Sequence, residues 1–215
     1  MHSLALTGLE GIPEIRAGDD LAALTVDALG RARIALAPGD LLVIAQKIVS
    51  KSEGRSVALA GVTPSPRAIE LAAVTHKDAR LIELVLSESK EVLRAKKDVI
   101  VVEHRLGCVM ANAGIDQSNV EHGGESVLLL PLDPDASCER LRVALRGATD
   151  VDPGVIINDS CGRAWRNGTV GIALGVAGLP GLLDLRGRPD RFGKKLQITQ
   201  VGLADEVAAA ASLVM

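Results

Sequence analysis

The chain has 215 residues, 24 Lys and Arg against 27 Asp and Glu, and a formal net charge of −3, with 47% hydrophobic and 24% charged residues. This composition supplies a substantial core, excludes a disordered chain, and lacks the basic excess of a nucleic-acid binder. The length suits one large domain or two small ones.

Trp165 and Phe192 are the only aromatic residues and tyrosine is absent, so the core has to be aliphatic. Cys108, Cys138 and Cys161 show neither paired spacing nor a metal-ligand pattern. A reduced, cytoplasmic protein without disulfides is expected. Met1-His2-Ser3-Leu4 has no basic flank or long apolar stretch, so no signal peptide is expected. The uncharged run Thr169 to Leu183 is too short for a membrane helix and contains Pro180, so no membrane partner is expected.

In chain order, Ser3–Leu6 reads as a first strand. Asp19-Asp20 offers an N-cap, followed by Leu21, Leu24, Ala28, Leu29 and Ala32 at helical spacing. Pro38-Gly39-Asp40 breaks the chain before the apolar run Leu41–Ala45, a buried-strand pattern. Ser52–Pro66, rich in Gly, Ser and Pro, reads as a loop. Helices are predicted at Pro66–Thr75, opened by Ser65, and at Asp78–Ala95. Strands are predicted at Asp98–Val102 and Ser126–Leu130, with a helix at Ala136–Arg146 and a short buried strand at Gly154–Ile157. Gly168, Gly171, Gly175 and Gly178 can line one face of a helix or let backbone approach a ligand, packing being the simpler reading. A strand at Leu196–Val201 and a helix at Leu203–Leu213 complete a mixed α/β (α+β) fold.

Three polar clusters carry the chemistry. Asn158-Asp159-Ser160-Cys161-Gly162-Arg163-Ala164-Trp165-Arg166-Asn167-Gly168 follows the Gly154–Ile157 run. Asp159 and Ser160 are hard oxygen donors of the kind magnesium or manganese takes, and Arg163 and Arg166 are planar forks for phosphate or carboxylate. Gly162 allows a tight turn just past the strand. A plain polar strand exit fits this stretch alone equally well.

The second cluster, Ala111 to Asn119, comes after another apolar run, Val99–Val102. Asn, Gly and Asp are ordinary turn residues. Two acid-bearing loops behind buried strands are more specific, because Asp116 and Asp159 can share one metal ion or bridge two, as in phosphoryl transfer. The third cluster, Gln46 to Gly54, leaves the Leu41–Ala45 strand with two lysines and two serines suited to phosphate, although alone it reads as an exposed strand end.

Residues 159–195 hold seven Lys or Arg against three acids, a local charge of +4 that leaves −7 for the remainder. Such a segment suits a small polyanion, or is simply a solvated face. The phosphate-binding Gly-x-x-x-x-Gly-Lys-Ser/Thr and the dinucleotide Gly-x-Gly-x-x-Gly signatures are both absent. Cys161 has no histidine near it in sequence, which weighs against a thiol nucleophile.

Together, Lys47-Ile-Val-Ser-Lys-Ser-Glu-Gly54, Asn112-Ala-Gly-Ile-Asp-Gln-Ser-Asn119 and Asp159-Ser-Cys-Gly-Arg-Ala-Trp-Arg166, continuing to Gly178, resemble the coenzyme F-420-0:L-glutamate ligases in content and order. Gly11-Ile-Pro-Glu14 before Gly18-Asp-Asp20, and Ala204-Asp-Glu-Val-Ala-Ala-Ala-Ala211, extend the resemblance from about Leu6 to the last residue. The resemblance implies transfer of the γ-phosphate of GTP to a carboxylate of the deazaflavin precursor. The acyl phosphate is then attacked by the amine of L-glutamate, releasing GDP and phosphate.

By matched position, Asp116, Asp159 and Ser160 are implied ligands of Mg2+ or Mn2+, with a monovalent cation as a further implied ion. Gly11, Ile12, Pro13, Glu14, Gln46, Lys47, Ser50, Lys51 and Asn119 are implied GTP contacts. Arg163 and Arg166 are assigned, on their chemistry, to phosphate or substrate carboxylate in catalysis. A single ligase domain over residues 1–215, assembled as an intertwined homodimer, is also implied.

The chain departs from the family pattern at Asn158, where Ser, Thr or Asp is frequent, and at Glu14, where an apolar residue is common. It stops at Leu213-Val214-Met215, where relatives continue into a Gly/Glu-rich loop and a further strand at the nucleotide and metal site. No fused reductase domain is expected. Two other readings stay open: a non-catalytic nucleotide- or deazaflavin-binding homologue, and a phosphatase-like metallohydrolase that explains the acids and arginines but not the other motifs.

Overall fold

With no rings to fill space, the buried aliphatic residues sort into separate clusters, and these divide the chain into two lobes. The computed structural model describes residues 3–117 and 125–215.

The first lobe is built on a sheet of β1 (Leu41–Ala45), β7 (Gly154–Arg163) and β8 (Arg166–Ala177), in the order β1-β7-β8. β1 runs parallel to β7 from Leu41 opposite Gly154 to Ala45 opposite Asn158, and β8 returns antiparallel to β7. Successive side chains of a strand leave opposite faces. Val155 and Ile157 therefore pack with Ala22, Leu141 and Leu145 of α1 (Leu21–Ala32) and α5 (Pro134–Thr149). Ile156 packs on the other face with Ala204 and Ala208 of α6 (Leu203–Ala211). All three strand residues are essentially inaccessible to water.

The second lobe joins the antiparallel sheet β3 (Ser89–Lys96), β4 (Val99–His104) and β5 (Val109–Ala111) to α3 (Pro66–Thr75) and α4 (Ala79–Ser87). A two-stranded pair, β2 (Ser56–Ala58) with β6 (Ser126–Leu128), completes it. Leu71, Ile82, Val85, Ile100, Val102 and Val127 form its core.

The chain crosses between lobes at 53–55 and returns at 130–133, and one buried acid ties both crossings. Glu88, 7% exposed, takes Arg55 at 2.8 Å and Arg105 at 3.0 Å. Arg55 also donates to Leu130 O at 2.8 Å, and Arg105 to Pro131 O at 3.0 Å and Leu132 O at 2.6 Å.

Several predicted elements differ. Ser3–Leu6 forms no strand. The helix predicted over Asp78–Ala95 ends at Ser87, because Glu88 turns inward to its arginines, and β3 follows. Ser52–Pro66 contains β2. The strand predicted at Ser126–Leu130 ends at Leu128, and the helix predicted at Ala136–Arg146 extends to Pro134–Thr149, capped by Asp133.

Gly168, Gly171 and Gly175 lie on a strand, β8, with Gly178 just past its end, rather than on a helix, and Gly171 and Gly175 serve close packing. A Cβ on Gly171 would lie 2.6 Å from Ala208 O of α6, and one on Gly175 would lie 2.4 Å from the Pro134 carbonyl carbon of α5. The outer edge of β8 is closed by carboxylates: Asp205 accepts the Ala173 N–H at 2.9 Å and Asp135 that of Val176 at 2.8 Å. The predicted strand Leu196–Val201 shrinks to β10 (Gln200–Val201), paired with β9 (Leu183–Asp184) at the base of a projecting arm. Phe192, in the arm's outer turn, is 91% exposed. Among the described residues no helix is long and apolar enough to cross a membrane.

Candidate functional site: a carboxylate pair at the junction of the lobes

The parallel strands β1 and β7 end side by side, and their carboxyl ends open where the lobes meet. In open α/β sheets such a crevice is the usual ligand position. β1 passes at Ala45 directly into α2 (Gln46–Ser52), and Asp159 follows the last parallel pair on β7.

On α2, Gln46 and Ser50 are buried and bonded to each other, the Ser50 hydroxyl donating to Gln46 Oε1 at 3.0 Å. Lys51 pairs with Glu14, and Arg31 donates to Gly11 O at 2.9 Å, so the segment Gly11, Ile12, Pro13, Glu14 is tied to α1 and α2. A depression of about 530 Å³ lined by Pro13, Glu14, Arg16, Asp19, Asp20, Ala23 and Leu24 adjoins it, on residues other than the carboxylate pair.

Lys47 reaches across the junction, its Nζ lying 2.6 Å from Asp116 Oδ2. Asp159 lies within the same field. Its Oδ1 accepts the Ser160 N–H at 2.8 Å. Burial pushes its carboxyl above the ordinary aspartate range and the charge of Asp116 adds to this, while the Ser160 N–H and Lys47 oppose it.

Asp116 arrives by an uncommon route. Asn112, Ala113 and Gly114 all take left-handed conformations, with φ of 51, 53 and 66°, and the Ile115 N–H closes the turn on Asn112 O at 3.0 Å. A left-handed residue other than glycine costs roughly 1–2 kcal/mol. The neighbouring structure holds it: Ala113 is fully buried, and Asp116 exchanges both backbone hydrogen bonds with Leu128 at 2.9 Å.

The structure thus brings Lys47, Asp116 and Asp159 together. Other predicted site residues lie apart. Ser160 leaves the opposite face of β7 from Asp159 by strand alternation, and is exposed. Arg163 and Arg166 pair at the exposed end of the β7–β8 hairpin, Arg163 donating to Asn167 O at 2.8 Å. At about 3.3 Å per residue, Arg163 is roughly 13 Å along the strand from Asp159. β7 runs on to Arg163, so Gly162 sits inside the strand and the turn falls at Ala164-Trp165. Asn119 lies outside the described residues.

Three neighbours to which the sequence assigned no role in the site adjoin it. Asn112 has a buried Oδ1 with no hydrogen-bond donor among the described residues. Asn158, 7% exposed, donates to Ser212 Oγ at 3.0 Å and so anchors the strand just before Asp159 to the end of α6. Cys161 shares the Asp159 face of β7, its Sγ 4.0 Å from Asp159 Oδ2. Burial first, then the charge of Asp159, pushes that thiol up to about 12, so at neutral pH it is no nucleophile. The signal for Asn112 was its place in Asn-Ala-Gly, since Asn and Gly tolerate left-handed backbone.

Two hard carboxylates, one of them desolvated and raised by the other's charge, suit a divalent cation. Among the described residues no three His, Cys, Asp or Glu gather around one point. A cation held here would complete its shell from water and ligand oxygens, as magnesium does beside phosphates.

Known proteins share this sequence over nearly its whole length. The family model described as F420-0:Gamma-glutamyl ligase matches residues 11–215. A protein named coenzyme F420:L-glutamate ligase from Methanothermobacter thermautotrophicus is 48% identical over 212 residues, covering 99% of this chain and 83% of the relative. Proteins of the same name from Methanopyrus kandleri and Archaeoglobus fulgidus are each 44% identical, covering 100% and 96% of this chain and 84% and 80% of their own lengths. The chain belongs to the F420-0:gamma-glutamyl ligase family.

Proposed function

We propose that this chain is a GTP-dependent carboxylate–amine ligase that joins L-glutamate to the deazaflavin precursor coenzyme F-420-0. The observation that carries the reading beyond family membership is the Lys47–Asp116–Asp159 cluster, which gathers two carboxylates and a cation at the mouth of the parallel strands.

In this reading a carboxylate oxygen of the precursor attacks the γ-phosphorus of GTP, and the bond to the β-phosphate oxygen breaks to release GDP. The amine of glutamate then attacks the acyl carbon, phosphate leaves with the bonding electrons, and the amine's proton passes to solvent or a base. Every partner is anionic, so the protein has to offset repulsion. Asp116 and Asp159 would hold Mg2+ or Mn2+, with Ser160 able to contribute only through its backbone oxygen, since its side chain leaves the other face of β7. That ion supplies charge neutralisation on the transferred phosphoryl group.

Lys47 and Lys51 offer ammonium groups to the triphosphate once their carboxylate partners yield. Gln46 and Ser50 brace α2, the segment Gly11 to Glu14 and Asn119 would be nucleotide contacts, and Arg163 and Arg166 would receive an incoming carboxylate or phosphate. A homodimer is part of the reading. Support comes from the apolar side chains on the β7–β8 hairpin and the arm, where Trp165, Phe192 and Ile198 are 100, 91 and 87% exposed.

The test is mass analysis of the deazaflavin precursor incubated with the protein, GTP, L-glutamate and Mg2+. A product heavier by one glutamyl residue, formed with stoichiometric GDP, is expected. GTP binding with no mass change would instead assign the chain to a non-catalytic nucleotide-binding role.

A further inference from the structure

Lys47 pairs with one of the two carboxylates that a metal ion would use. Its Nζ is 2.6 Å from Asp116 Oδ2, with side chains 32 and 21% exposed, and its charge also acts on the more enclosed Asp159. A divalent ion bound through Asp116 Oδ2 competes with the ammonium for that oxygen, because magnesium takes its oxygens at about 2.0–2.1 Å.

We propose that Lys47 is a built-in substitute cation on Asp116 that has to be exchanged for the divalent ion. The inference rests on reading Asp116 and Asp159 as the metal pair.

Two consequences follow from the exchange. Metal alone binds weakly, because it must displace an ion pair. An anionic phosphate beside the site gives the displaced ammonium a new partner, so metal and polyphosphate favour each other's binding through Lys47. The rigid framework makes the exchange local. Lys47 lies in the first turn of α2, braced by the buried Gln46–Ser50 bond, and Asp116 is fixed by its paired bonds to Leu128.

The experiment is calorimetric titration of Mn2+ into the metal-free protein without nucleotide, at about pH 8 so that the carboxylates are ionised. Lys47→Met should bind Mn2+ at least tenfold more tightly than wild type, and Lys47→Arg, which keeps the positive charge, no more tightly than wild type. A second readout uses the wild-type protein alone: acylation of lysine amines, followed by peptide mass spectrometry, should show Lys47 reacting several-fold faster once Mn2+ is saturating. Equal or weaker Mn2+ binding by a folded Lys47→Met, or Lys47 reactivity indifferent to Mn2+, overturns the exchange and leaves the metal pair standing. Absence of Mn2+ binding to wild type and both variants removes the metal pair itself, and the exchange with it.

Discussion

At the scale of single residues, Asp159 carries opposing demands. Its carboxyl is raised by burial and by the charge of Asp116, so it favours the fold most when protonated. That contribution is fully present below the 3.8 of a free aspartate and is lost as pH rises through the elevated native value. Asp159→Asn keeps the uncharged form at every pH. Its metal-free melting temperature at neutral pH should equal or exceed that of wild type, while its Mn2+ binding measured by calorimetry is abolished. A drop in metal-free stability would place Asp159 in the structural framework instead.

Gly114 makes the complementary case. A Cβ there would lie 2.8 Å from Leu130 Cδ1 and 2.9 Å from Met110 Sδ, at a φ of +66°. Gly114→Ala should cost roughly 2–4 kcal/mol by adding left-handed strain to overpacking. Ala113→Gly, at the neighbouring φ of 53°, should stay within about 1 kcal/mol of wild type in urea unfolding. The acids were legible in the sequence because hard oxygen donors behind apolar runs are a chemical pattern. The left-handed turn was not, because Asn-Ala-Gly reads as any turn until packing selects one hand.

Elements show where pattern and structure part. α1 and α3 start where the caps predict: Asp20 Oδ1 accepts from Ala22 and Ala23 at 3.0 Å, and Ser65 Oγ accepts from Ala68 at 3.2 Å. Cap chemistry is local, so sequence reveals it. The β8 glycines recur every three or four residues and so mimic a helix face, whereas their purpose is to admit α5 and α6 against a strand. The residues that explain this, Pro134 and Ala208, are distant in sequence.

The β7–β8 hairpin also separates two roles. Arg163 and Arg166 lie at its exposed end, away from Asp159. Arg163→Lys and Arg166→Lys should therefore leave Mn2+ affinity unchanged. At least one of them should lower glutamyl transfer tenfold or more, a barrier increase of about 1.4 kcal/mol, because lysine lacks the bidentate fork. Wild-type turnover in both variants would make these arginines surface charges.

For the whole molecule, the decisive contact is the clamp on the two chain crossings. Burial alone would raise the Glu88 carboxyl, but His104, Arg105 and Arg55 outweigh it and bring it to about 2, below the 4.5 of a free glutamate. His104 Nε2 stands 3.5 Å from Glu88 Oε2, long for a hydrogen bond. The stabilisation, on the order of 3 kcal/mol, is present above pH 4.5 and lost as pH falls through about 2. Glu88→Gln should lose roughly 3 kcal/mol at neutral pH by stranding two arginines, and its stability should vary less with pH between 2 and 4.5 than that of wild type. Parallel chemical denaturation series at several pH values would check both. The mixed α/β class was legible from alternating patterns, but the division into two lobes was not. Nothing local marks Glu88 as the residue that joins them.

The chain's only tryptophan, Trp165, sits in the turn between β7 and β8 with its ring wholly in water, and there is no tyrosine to report in its place. Its emission should already have the red-shifted colour of free indole in the folded protein, so denaturant will barely alter it and circular dichroism has to follow unfolding. The same silence makes Trp165 a clean optical probe of the hairpin. A blue shift on adding substrate or on raising protein concentration would mean that something has closed over that turn.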